Sequence, residues 1–317
     1  RDPHLDTMKA ILIVLVVFGH CISNLFDVHS SLIFLLIYSF HMPAWFMSSG
    51  IVFYTSGKFT DFVRKKARAL LYPLIGFIVI LEVYYLGMNF LQYNIGSYLL
   101  SHFKIQTIVK SVLFIQGGNW GGVWYLPTLF ILYLIGFVLN KINNKKIQLI
   151  AILLLTVLGY QFINYNIFLP FYSEISLIAL PFFYAGKPIY KWLLSMENQK
   201  KKVGVLFIAL IGWAATVYCF FYQKHLVVQM VSGNVGNLYQ FYLVGMLGSI
   251  SIMAISILVS PLKLVKQIGQ ETLFIYGYHY PVVAFARFIL RRIVQFNNIY
   301  ILTLISLLVS IIIILSL

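Results

Sequence analysis

Met8-Lys9-Ala10-Ile11-Leu12-Ile13-Val14-Leu15-Val16-Val17-Phe18-Gly19-His20-Cys21-Ile22-Ser23-Asn24-Leu25-Phe26 is an almost unbroken apolar run. It is close to the ~20 residues that a helix needs to cross the hydrocarbon core of a bilayer. Asp2 and Asp6 precede it and no small-x-small cleavage site follows, so it reads as a permanent helix rather than a secretion signal. The chain begins at Arg1 rather than methionine, and residues are expected to precede it. Runs of the same kind place further helices near 31–54, 69–90, 122–140, 147–164, 172–190, 203–222, 238–260, 271–290 and 298–317. The expectation is an all-α, polytopic membrane protein with about ten transmembrane helices. The shorter stretch 105–116 reads as interfacial or re-entrant. No internal repeat or soluble domain interrupts the series, so residues 1–317 form a single integral-membrane domain.

Composition supports the same reading. Of 317 residues, 61% are hydrophobic and only 10% charged, against roughly 25% charged in soluble domains. The exterior therefore faces lipid. A net charge of +15 raises the question of nucleic acid. That use requires basic residues gathered on one solvated face, and here they fall in short clusters between apolar runs, so no nucleic-acid partner is expected. With the N-terminus inside, seventeen of the 23 Lys and Arg residues lie in cytoplasmic segments and six outside. That bias selects an N-in, C-in topology, which an even number of helices also requires. Cys21 and Cys219 lie within apolar runs and read as small buried hydrophobes.

Polar groups inside a bilayer are costly, so each one asks for a reason. Lys9 and His20 are eleven residues apart, close to three helical turns, and share a face of the first helix with ~16 Å between them. A second histidine stands in Ser39-Phe40-His41-Met42-Pro43-Ala44-Trp45-Phe46-Met47-Ser48-Ser49-Gly50. Counted from the tight connection between the first two helices, His20 and His41 differ in depth by only ~6 Å. They are expected to approach one another, with Pro43 loosening the backbone beside His41. No Cys, Asp or Glu at ligand spacing accompanies them, so no metal is assigned. The loop Lys58–Arg68 is rich in Lys and Arg; it anchors the positive-inside face, and a polyanionic nucleotide would use the same charges. Glu174 reads as a carboxylate at the outer end of the sixth helix, solvated or holding an acceptor. Two extracytoplasmic stretches, 117–122 and 232–237, mix glycine with amide and aromatic groups that suit either sugar binding or plain turns.

Taken together, these residues are similar to a known family, the family 3 membrane acyltransferases, in the branch of fucose O-acetylase-like and other polysaccharide O-acetyltransferases. Lys9-(x10)-His20 resembles its first-helix pattern, and Phe40-His41-Met42-Pro43 followed by Ser49-Gly50 resembles its second-helix pattern. Lys65-Lys66-Ala67-Arg68 resembles its Arg-x-x-Arg motif with lysine at the first position. Gly122-Val123-Trp124-Tyr125-Leu126 resembles the entry to its fourth helix. Gly269 through Tyr276, then His279, resembles its late motif.

The resemblance implies an acyl-CoA donor, acetyl-CoA, used as co-substrate with no tightly bound cofactor, and a cell-surface or lipid-linked carbohydrate acceptor. It implies a multi-pass protein of a bacterial cell membrane, in contact with the lipid bilayer; a homo-oligomer is compatible with this. Lys9, Lys65 and Arg68 would hold the donor, and His20 and His41 would be catalytic. His20 would take the proton of the acceptor hydroxyl, either in direct transfer or through an acetyl-histidine. Trp124, Tyr125 and His41 are candidate oxyanion donors, and Glu174 and His279 complete the acceptor or oxyanion set. The competing class is a transporter or flippase for a glycolipid or small substrate, with buried histidines binding substrate or relaying protons.

Overall fold

The computed structural model describes residues 2–23, 32–91, 95–102, 122–222, 228–259 and 262–293, and the single positions 305 and 308. The expected helices at 105–116 and 298–317 therefore lie outside the described residues, apart from those two positions. Regular structure among the described residues is helical, with one isolated antiparallel bridge between Gln229 and Asn234. The principal helices are α1 (Pro3–Ser23), α2 (Leu32–Tyr38), α3 (His41–Ile51), α4 (Phe59–Leu91), α5 (Ile95–His102) and α6 (Tyr125–Leu139). They continue as α7 (Lys145–Asn164), α8 (Ser173–Ser195), α9 (Gln199–Thr216), α10 (Leu238–Leu258), α11 (Lys263–Gln270) and α12 (Thr272–Ile293). A π-helical turn, Val217–Tyr222, extends α9.

Six spans among the described residues are long and apolar enough to cross a membrane: α1, α2 with α3, α4, α7, α9 with its π turn, and α10. The apolar stretches of α1 and α10 are 67% and 61% buried within the protein, whereas those of α4, α7 and α9 are 22%, 22% and 17% buried. The last three present rows of bare aliphatic and aromatic side chains, among them Ile75, Val79, Val83, Leu149, Leu153, Phe207 and Ile211. Such surface is tolerated against lipid. α8 and α12 have the length, 23 and 22 residues, but carry Glu174, Lys187 and Lys191, and Arg287, Arg291 and Arg292.

The chain divides into two compact units, Arg1–Val52 with Phe182–Leu317, and Phe53–Pro181. In the first, α1 starts with a side-chain cap: Asp2 Oδ1 accepts the backbone N–H groups of His4 and Leu5 at 2.9 and 3.3 Å. Its Oδ2 accepts from the Tyr190 hydroxyl at 2.7 Å. α11 closes against this end of α1 so tightly that a Cβ on Gly269 would lie 1.9 Å from the Asp6 carbonyl. Further along, Ile13, Val16, Val17 and Cys21 of α1 pack with Ile275 and Val283 of α12. α3 crosses α8 at Gly50 and Gly186, where a Cβ would lie 1.8 Å from the Phe183 oxygen and 2.2 Å from the Met47 oxygen. Small residues of this kind let membrane helices approach backbone to backbone.

The second expected helix, 31–54, is broken. α2 ends at Tyr38, and α3 begins at His41 after a turn at Ser39 and Phe40. Proline has no N–H for the carbonyl four residues back and its ring collides with it; for Pro43 that residue is Ser39, where the helix stops. Phe40 then turns out of helical geometry (φ −141°, ψ −19°) and fills the space over Gly248 of α10. The expected loop at Lys58–Arg68 is also corrected. α4 starts at Phe59 with Asp61 in its first turn, and no proline or glycine interrupts it before Pro73. Its 33 residues span about 50 Å, well beyond the ~30 Å hydrocarbon core, so the basic segment continues the helix.

Candidate active site

In the first unit, His20 lies on the last turns of α1 and is half-buried. Its ring meets the His279 ring of α12 at a centroid distance of 5.0 Å, tilted by 46°, and the Tyr280 ring edge-on at 5.7 Å. The imidazole of an apolar helix thus faces protein on that side. His279 is fully buried, and Tyr276 lies 5.9 Å from it. Gly19, beside His20, leaves room for Tyr38: a Cβ there would lie 2.9 Å from the Tyr38 ring. Tyr38 in turn meets the His41 ring edge-on at 4.7 Å. The tyrosine thus contacts both the Gly19 turn of α1 and His41. Lys9 is half-buried on α1, three turns from His20.

Both buried histidines are oriented by backbone carbonyls. His41 Nδ1 lies 2.8 Å from the Ile37 oxygen, and His279 Nδ1 lies 2.7 Å from the Tyr276 oxygen. In an unbroken helix the Ile37 oxygen would receive the N–H of residue 41; at the α2–α3 break the ring takes that place. A carbonyl can only accept, so Nδ1 carries the proton in both rings, and in the neutral imidazole Nε2 then holds a lone pair. Each ring therefore offers its surroundings an acceptor. The oxyanion role expected of His41 and His279 requires an N–H that the neutral rings do not present at Nε2.

The second unit holds the remaining candidates. Lys65 and Arg68 are exposed on the first turns of α4. With Asp61 and Arg64 they line an open groove of about 410 Å³, because positions 61, 64, 65 and 68 share one helix face. Lys66 points elsewhere: its Nζ sits 3.6 Å from the centroid of the Tyr133 ring and 5.6 Å from that of Phe62. Arg64, in the sequence one charge among several of the basic stretch, joins Lys65 and Arg68 on the groove. Its four-residue offset from Arg68 carries meaning only once the segment is known to be helical.

Trp124 and Tyr125 are buried at the start of α6. The Trp124 ring meets Tyr172 edge-on at 6.2 Å. Glu174 is 3% exposed, which corrects the expectation of a solvated carboxylate. It lies in the first turn of α8, where the helix dipole favours an anion, and its Oε2 accepts the Leu169 N–H at 3.0 Å. That bond closes a turn in which Phe171 and Tyr172 adopt left-handed backbone angles, φ 60° and 54°. Left-handed geometry costs non-glycine residues ~1–2 kcal/mol each. The stretch 117–121 lies outside the described residues. Residues 232–237 form a tight turn with Gly233 and Gly236 at positive φ, flanked by buried Met230 and holding buried Val235. Both cysteines are free; Cys21 is buried, whereas Cys219 is exposed on the π turn rather than buried as expected. Among the described residues no three His, Cys, Asp or Glu side chains converge as a metal site needs.

The chain is similar to the nodulation protein NolL of Mesorhizobium japonicum, at 25% identity over 334 residues, covering 96% of this chain and 81% of that protein. No solved structure matches the chain. A family model described as an acyltransferase domain, of the family 3 acyltransferases, matches residues 2–316. The helices long and apolar enough to span a bilayer and a match over nearly the whole chain lead to one assignment: this protein belongs to the family 3 acyltransferases.

Proposed function

We propose that this acyltransferase is an O-acetyltransferase of the cell membrane. It moves acetyl from cytosolic acetyl-CoA to a hydroxyl of a cell-surface or lipid-linked carbohydrate, with His20 as general base. The observation that carries the reading is the His20 ring, set on an apolar helix and held against His279 and Tyr280. A sugar hydroxyl is a weak nucleophile at neutral pH, and a neutral imidazole within ~3 Å relieves it of its proton as the carbonyl is attacked. An apolar surrounding limits competing hydrolysis of the thioester.

Donor recognition needs cations for the nucleotide phosphates. Arg64, Lys65 and Arg68 supply three on one groove, and guanidinium groups bind phosphate oxygens in pairs. Lys9 adds a cation on the helix that carries His20. Trp124 and Tyr125 have ring N–H and O–H donors suited to an oxyanion. Ten crossings with both termini cytoplasmic fit the seventeen-to-six division of Lys and Arg.

The test is label transfer. Purified protein in proteoliposomes, given acetyl-CoA labelled in the acetyl group and surface polysaccharide, should deposit label on the carbohydrate. Movement of unmodified glycolipid across the bilayer, with the label left on CoA, would replace the enzyme by a transporter.

A further inference from the structure

His279 poses a question that the reading of His20 as the base does not answer. Its side chain is 0% exposed, its Nδ1–H is committed to the Tyr276 carbonyl, and its Nε2 has no hydrogen-bond partner among the described residues. A buried polar atom left unsatisfied is costly, and such atoms are rare in native proteins. The tautomer makes this one an acceptor, so what is missing is a donor. The ring at 5.0 Å is that of His20. While His20 is neutral it has one N–H; once it has taken a proton it has two, and both ring nitrogens are donors.

We infer that His279 is the positioning residue for His20: its Nε2 lone pair accepts an N–H of the imidazolium that forms during acyl transfer. The inference rests on His20 acting as the base. The hydroxyl O–H bond breaks and its proton joins His20, while the oxygen forms a bond to the acyl carbon. The C–S bond of the thioester then breaks, and the departing thiolate recovers the proton from His20. His279 gains and loses nothing in the cycle. It supplies a fixed acceptor when the second N–H exists, so its hydrogen bond is stronger in the transition state than in the resting enzyme. An interaction of that kind raises kcat rather than affinity.

The orientation of the His279 ring is fixed. The bond to Tyr276 is made within one turn of α12, and Tyr276 packs on the apolar cluster that joins α12 to α1. The Nε2 lone pair is thus held on the element that already touches His20. Of the two rings, His20 is the half-buried one, so it is the ring that would turn to complete the bond.

Two substitutions separate this role from a packing role. His279→Asn retains a group at the Nδ1 position, able to donate to the Tyr276 carbonyl, and deletes Nε2. His279→Gln places an amide oxygen near the Nε2 position. The expected result is a kcat reduced about 10- to 100-fold in His279→Asn with KM for acetyl-CoA unchanged, and a kcat at least several-fold higher in His279→Gln than in His279→Asn. That loss, about 1.4–2.7 kcal/mol at 1.36 kcal/mol per tenfold, is the size of one charge-assisted hydrogen bond. Should His279→Asn fail to accumulate, His279→Phe, a ring without nitrogen, takes its place in the comparison. Wild-type kcat in the variant without Nε2, or glutamine no better than that variant, overturns the inference while leaving His20 as the base. Activity surviving in His20→Ala defeats the underlying reading instead.

Discussion

Replacing Gly50 by alanine adds one methyl group where α3 crosses α8. That Cβ would stand 1.8 Å from the Phe183 carbonyl oxygen, and real Cβ atoms do not come closer than 3.0 Å. The helices must separate locally by about 1.2 Å, enough to forfeit a large part of the dispersion energy along the crossing. The atom struck belongs to the backbone, so no side chain can swing aside. The reciprocal contact of Gly186 with the Met47 carbonyl opens with it. Overpacking usually costs 1–3 kcal/mol, and this geometry belongs at about 3 kcal/mol. For the detergent-solubilised protein that corresponds to a thermal midpoint lowered by roughly 5 °C, read by fluorescence-monitored unfolding or by loss of the monodisperse peak after heating. α3 carries His41 at its first turn, so acyl transfer should fall as well. Gly204→Ala is the control: among the described residues no atom beyond its own helix lies within 4 Å of its Cβ position, and removing glycine from a helix gains up to about 1 kcal/mol. A Gly50→Ala protein as stable as wild type would refute the backbone-to-backbone crossing.

Within the α4 segment, Lys66 and its neighbours should separate in behaviour. Lys66→Met should destabilise by about 1–2 kcal/mol through loss of the contact with Tyr133, with donor KM little changed. Arg64→Ala and Arg68→Ala, on the groove, should raise the KM for acetyl-CoA about tenfold and weaken its salt dependence while leaving the thermal midpoint in place. Glu174→Ala leaves the Leu169 N–H without its acceptor and should cost about 1–3 kcal/mol in thermal unfolding. Glu174→Gln, which keeps a side-chain oxygen, should cost less than half of that.

The all-helical, lipid-facing character could be read from the chain because a run such as 8–26 has few other physical outcomes. Breaks inside runs were harder to see. Pro43 is visible as a perturbation, yet the turn falls at Ser39 and Phe40, four and three residues upstream, and the displaced carbonyl is that of Ser39. The basic stretch 58–68 read as a loop because charge density suggests solvent, whereas nothing in it prevents helix and Asp61 favours one. α11 escaped notice because eight residues are too few for a hydropathy signal; its Leu264 and Ile268 repeat at a helical spacing among Lys263, Lys266 and Gln267. At the site, the shared face of Lys9 and His20 follows from helical arithmetic. The packing of His279 against His20 does not, because the two rings stand over 250 residues apart in the chain. Glu174 looked exposed since terminal carboxylates usually are, and only the fold of the 169–174 turn shows it buried.

Wild-type and His20→Ala proteins, purified to equal amounts with equal thermal midpoints, should be compared for transfer of labelled acetyl from acetyl-CoA to carbohydrate. The account requires transfer by His20→Ala to fall at least about 100-fold, within the range of a general base, while the variant still binds CoA. Transfer by His20→Ala within a few-fold of wild type would contradict it.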